Sequence, residues 1–257
     1  MADTTTNLGR IELTTKPARA RTVTAKPVRL LQQYFYFFMS LLIAAIVVYG
    51  FSHTVEARLI HGVPRRPVLL WVHGVIFSGW VLFFIFQSLL VRTHNVRLHR
   101  TLGWFGAALG SAVFVVGVWI GIVMSRFRIQ YFHGKGAVPD LALSWYDVTA
   151  FAVAFGLAIL WRKKPEYHRR LILLATCALT SAAFGRFPAH ILPAGWFFVG
   201  VDFLVLLGVA RDLIVDKRIH RVYAVGLPVF LVCQSIVMYT ILNNPPVWAN
   251  IANAILR

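Results

Sequence analysis

The stretch Arg97–Phe114, RLHRTLGWFGAALGSAVF, sets a histidine–arginine pair at the foot of a long apolar run. Variants recur at Glu166–Phe184, EYHRRLILLATCALTSAAF, and at Arg218–Gly226, RIHRVYAVG. A basic foot followed by unbroken apolar residues is what a helix needs to enter a bilayer through its headgroup layer. Working outward from the three feet, apolar runs of about 20 residues recur, the length that crosses a hydrocarbon core roughly 30 Å thick. Composition agrees: the chain is 58% hydrophobic and 14% charged, with mean hydropathy +0.69. A soluble domain is about half apolar and a quarter charged. The fold class this implies is all-α, a polytopic membrane helix bundle.

Seven spans are expected, at 33–52, 67–91, 103–125, 141–161, 170–191, 195–215 and 224–242. With seven crossings, 18 Lys and Arg residues fall on one side and 8 on the other. The positive-inside rule then places the N-terminus in the cytoplasm and the C-terminus outside. Three regions result: a basic, flexible cytoplasmic tail over 1–30, a transmembrane domain over 31–243 and a short external segment over 244–257. The tail carries no cleavable signal, so the first span acts as a signal anchor. It is free to lie on the membrane or to dock on a partner in a membrane complex. The net charge of +17 sits mainly in the tail and in alternate loops. Its natural partner is therefore the anionic headgroups of the cytoplasmic leaflet, and not nucleic acid. Cys177 and Cys233 lie within apolar runs, as buried free thiols do.

Spans two to seven form three hairpins, each re-ascending from one histidine–arginine pair: His99-Arg100, His168-Arg169 and His220-Arg221. Gly103, Gly106, Ala107, Gly110 and Ser111 on span three favour close helix packing.

Ionisable residues deep in a span are costly and mark interior sites. At about 1.5 Å per residue, His73 and Asp147 lie roughly 9 Å below the outer surface, Arg186 roughly 8 Å and Asp202 roughly 10 Å. His190 follows Arg186 by four residues, one helical turn. These five side chains are expected to share one layer of the outer leaflet, as an ion-pair network of Arg186 with Asp147 or Asp202, or as a ligand site. His73, Trp80 and Gln87, spaced by seven, share a face of span two.

His99 and His168 open spans three and five at matched depth. Two level imidazoles can ligate a haem iron axially, and Arg100 and Arg169 can then meet the haem propionates. His220-Arg221 has no histidine partner and reads as a snorkelling foot against lipid phosphate.

His73, Gln87, LHRTLG, YHRRLILLA and Arg186 together resemble a family of bacterial multipass proteins defined as a domain of unknown function, over spans two to five. That family in turn resembles the two-haem b-type membrane cytochromes of the ascorbate-reducible kind. The resemblance implies a four-helix core in which His99 and His168 form the inner ligand pair and His73 belongs to the outer pair. Asp147 stands where the outer pair's second histidine is expected, so one haem b is implied. It also implies a bacterial inner membrane.

Two functions follow. One is a b-haem electron-transfer or oxidoreductase subunit. The other is a non-catalytic membrane protein: a binder or permease for a small molecule or lipid, or a structural subunit, using the outer-leaflet cluster. No GxGxxG, Walker, HExxH or GxSxG pattern marks a soluble-enzyme centre, and no catalytic residue is assigned.

Overall fold

The computed structural model describes residues 26–134 and 137–257, and among them every regular element is helical. The helices are α1 (Lys26–Ser52), α2 (Val68–Arg92), α3 (Val96–Tyr131), α4 (Ala137–Leu160), α5 (Pro165–Ala178), α6 (Ser181–Phe184), α7 (Phe197–Val215), α8 (Arg221–Asn243) and α9 (Pro246–Leu256). A π-helical turn, Val55–Ile60, follows α1. Residues 1–25 of the expected tail lie outside the described residues. The tail's remainder is already helix, because α1 begins at Lys26.

Five helices are long and apolar enough to cross a membrane: Val28–Ser52, α2, α3, α4 and α8. The chain is thus built as a multipass membrane protein. The expected fifth and sixth spans fall on shorter or more polar helices. α5 has 14 residues and rises only about 21 Å, and α7 carries Asp202, Arg211 and Asp212 within its 19. The run 170–191 is also not one helix. It breaks at Leu179-Thr180, where Thr180 Oγ1 donates to the Cys177 carbonyl at 2.7 Å, and helix ends at Phe184. Pro188 and Pro193 then hold the chain in turns, since proline has no amide to donate and restricts its predecessor.

The closest pairings are α3 with α4, α4 with α5 and α2 with α3; α1 lies against α2, α6 and α7, and α4 also meets α8. The main core joins Met39 and Ile43 of α1, Leu173 and Cys177 of α5, Leu204 of α7 and Phe230 of α8. A second core sets Trp80 of α2 edge-on to Phe151 and Phe155 of α4. Small residues on α3 permit this packing. A Cβ at Gly110 would strike the Phe155 ring, and one at Gly117 would strike Val148. Large apolar side chains such as Val75, Leu82, Trp104 and Val232 face outward, as lipid contact requires. The C-terminal segment, expected to be external, is helical and packed: α9 buries Ala252, and Trp248 Nε1 donates to the Val138 carbonyl at 3.0 Å.

Candidate functional site

The three-residue connection from α2 to α3 is closed by Asn95, whose side chain accepts from the Leu98 amide at 3.4 Å and caps α3. That start puts His99 in the first turn. Likewise Pro165 at the first position of α5, with its missing amide costing nothing there, puts His168 in a first turn. The two rings meet: their centroids are 6.3 Å apart and their planes are at 79°. His168 Nδ1 lies 2.9 Å from the Ala158 carbonyl of α4. A carbonyl only accepts, so Nδ1 carries the proton and Nε2 keeps its lone pair, the tautomer used by metal-bound histidines. His99 Nδ1 is buried and makes no hydrogen bond. Neither amide atom of buried Gln87, against whose backbone His99 lies, makes one either.

Two imidazoles from different helices thus approach each other, one of them oriented through its far nitrogen, and imidazoles are the donors that a haem iron takes. Among the described residues there is no group of three or more His, Cys, Asp or Glu side chains placed to hold a metal ion. The arginines are arranged differently from the expectation. Arg100 is exposed. Arg169 turns to the other side of α5, donating to Glu166 at 2.5 Å with its guanidinium 5.3 Å from the Tyr36 ring centre. It is therefore already engaged away from the imidazole pair.

The third pair is a cap. His220 Nδ1 accepts from the Val222 amide at 3.2 Å and starts α8, and its ring packs edge-on against Tyr167. Burial, followed by the Arg170 charge, holds the His220 imidazole below its ordinary pKa, which keeps it a neutral acceptor.

The cluster expected in the outer leaflet is divided. Asp147, 8% exposed on α4, accepts from the Ser181 hydroxyl, and its second oxygen is buried without a partner. Asp202 on α7 accepts from Gln234 Nε2 of α8 at 3.0 Å. The buried Tyr146 hydroxyl lies within electrostatic reach of both carboxylates. Arg186 instead donates to the Ala182 carbonyl and stacks 4.3 Å over the Phe51 ring. His73 packs against Phe77 at 4.1 Å. His190 sits exposed in a turn after Pro188, beyond the helix end at Phe184, so the expected one-turn helical spacing to Arg186 does not exist. Neutral donors, Ser181 and Gln234, serve the two carboxylates where an arginine was expected. The helix break at Leu179-Thr180 is what delivers Ser181.

A third cluster went unanticipated, because its cations read as loop charges. Arg170, 1% exposed, forks onto Asp212, which is fully buried, through Nε at 2.8 Å and Nη2 at 2.6 Å. Arg170 Nη2 also reaches Asp216 at 2.7 Å, and Nη1 reaches Glu166 at 2.6 Å. Arg211 Nη1 shares Asp212 at 2.9 Å and Asp216 at 2.6 Å. Burial raises the Glu166 carboxyl, but the Arg170 hydrogen bond and the neighbouring arginine charges outweigh it and hold it below the ordinary range. The visible signal was Arg211-Asp212, an ionisable pair set inside the apolar run GVARDLIV. In comparisons with known proteins, no family model, no curated protein and no solved structure matches the chain.

Proposed function

We propose that the chain is a multipass protein of a bacterial inner membrane that holds a b-haem between His99 and His168 and passes electrons through it. The observation that supports this reading is the approach of two first-turn imidazoles to 6.3 Å, one of them anchored through Nδ1. His168 offers Nε2 to the iron, and the Ala158 carbonyl keeps that ring from rotating. His99 would supply a second ligand from α3. Arg100, exposed beside His99, is the arginine free for a propionate. When bound, a b-haem supplies reversible one-electron chemistry. In the same reading the chain crosses seven times, with α5–α6 and α7 as the fifth and sixth passes. The N-terminal tail then faces the cytoplasm, against anionic headgroups and within reach of a membrane-complex partner.

The test is the absorption spectrum of protein purified in detergent. A Soret band is expected in wild type and in His220→Ala, because His220 caps α8, and is expected to vanish in His168→Ala. A colourless preparation refutes the reading.

A second reading is favoured by Asp147, whose second oxygen is buried without a hydrogen bond next to Tyr146 in the chain. These groups would wall a polar pocket for a small molecule or lipid headgroup in a non-catalytic binder, permease or structural subunit. That reading expects a colourless protein in which Asp147→Asn, and not His168→Ala, abolishes ligand uptake.

A further inference from the structure

The buried ion network leaves hydrogen-bonding capacity unspent. Arg211 is 1% exposed and uses Nη1 for both of its carboxylate bonds. Its Nε and Nη2 are buried and bond nothing among the described residues. Those two N–H groups form the side edge of the guanidinium, which grips a carboxylate or phosphate with two parallel bonds.

Two further donors lie close by. The Tyr36 and Tyr223 hydroxyls are also buried and unpartnered. The Tyr223 oxygen lies over Gly208, where a Cβ would meet it at 2.5 Å. Gly208 is one turn before Arg211 on α7, so that hydroxyl lies over the stretch of helix that carries Arg211. Tyr36 of α1 interacts electrostatically with Arg211, and Tyr223 with Tyr36. Buried donors are almost always satisfied, so four without an acceptor in one place mark a missing acceptor.

The local field suits an anion. Arg169, Arg170 and Arg211 balance Glu166, Asp212 and Asp216, and the loops around them and the start of α8 add exposed Arg162, Lys163, Lys164, Lys217, Arg218 and Arg221. The network also reaches the surface, through Asp216 at 32% and Glu166 at 55% side-chain exposure.

We propose that Arg211, Tyr36 and Tyr223 form an oxyanion site where α1, α5, α7 and α8 meet, taking the phosphate or carboxylate group of a lipid headgroup or of a soluble ion. The site uses neither imidazole, since His168 faces α3 and α4 whereas Arg170 faces α7, so its test does not depend on a bound haem.

The test uses the full chain and thermal unfolding at fixed ionic strength. One arm exchanges sodium chloride for sodium phosphate in neutral detergent. The other compares nanodiscs of phosphatidylglycerol with nanodiscs of phosphatidylcholine. A wild-type shift with phosphate assigns a soluble oxyanion, and a shift confined to phosphatidylglycerol assigns a lipid headgroup. Arg211→Lys keeps the charge opposite Asp212 and Asp216 but loses the fork, and is expected to weaken the response about tenfold. Tyr223→Phe preserves packing and loses one donor, so it weakens the response even if Arg211→Lys does not fold. No response in either arm, or equal responses in wild type and Tyr223→Phe, overturns the proposal and leaves ordered water as the occupant.

Discussion

Asp212→Asn tests whether the charge network at the foot of α5 and α7 holds the bundle together. Asp212 is fully buried and accepts two bonds from Arg170 at 2.8 and 2.6 Å and one from Arg211 at 2.9 Å. Asparagine keeps the shape but removes the charge and turns a donor toward guanidinium groups that are donors themselves. Removing one partner of a buried ion pair costs about 3–5 kcal/mol. Asp216 remains at 2.7 and 2.6 Å from the two arginines, so the loss should sit at the lower end, about 3 kcal/mol. For a chain of this size each kcal/mol moves Tm by about 2–4 °C, giving a fall of roughly 6–12 °C. The assay is tryptophan fluorescence during heating in detergent. The control is Asp140→Asn, because the Arg128–Asp140 pair is 38% and 44% exposed and such pairs contribute less than about 1 kcal/mol. An Asp212→Asn midpoint within 2 °C or so of the Asp140→Asn midpoint would refute the reasoning. Removing both charges, in Arg170→Met with Asp212→Leu, should destabilise less than Asp212→Asn alone.

Two further outcomes are expected. Gly50→Val should loosen the bundle by about 1–3 kcal/mol, since a Cβ there collides with the Ala183 backbone of α6. Gly79→Ala, whose Cβ meets open space, should be near neutral in the same melt. Acid should destabilise the protein in two stages. The His220 and Glu166 pKa values lie below the ordinary 6.5 and 4.5, so the unfolded chain takes up their protons first and stability falls with pH. The His220 contribution should fade from pH 6.5 down to its lowered native value, and that of Glu166 below 4.5. Comparing Tm against pH for wild type and His220→Gln isolates the first stage, and identical slopes between pH 6.5 and 5 would exclude it.

What could be read from the chain depended on whether the signal was local. α1 to α4 and α8 follow from apolar length alone. Their ends match the apolar limits to within a few residues except in α1 and α3, where helix begins before the apolar run, as in Val96–Tyr131 against an expected 103–125. The meeting of His99 and His168 was legible too, since each follows a short basic loop and occupies a first turn. Partner choice was not legible. Nothing local tells Arg170 to fork onto Asp212, 42 residues away, or Asp147 to take Ser181 in place of Arg186. Those choices depend on where α5 breaks and on which helix lies opposite. The small polar residues of LTSAAF, easily passed over inside an apolar run, mark that break.

The first turn of α5 has a mechanical consequence. Glu166 and Arg170 lie on its ion-network side, while His168 points the other way to Ala158 and His99. One turn of helix behaves as a short stiff beam, clamped by charge on one flank and carrying an imidazole on the other. A tilt that widened the gap between the imidazoles would strain the Arg170 fork at the same time. The network therefore works as a detent, holding the ring spacing to tolerances that apolar packing alone, with its many near-equivalent arrangements, does not impose.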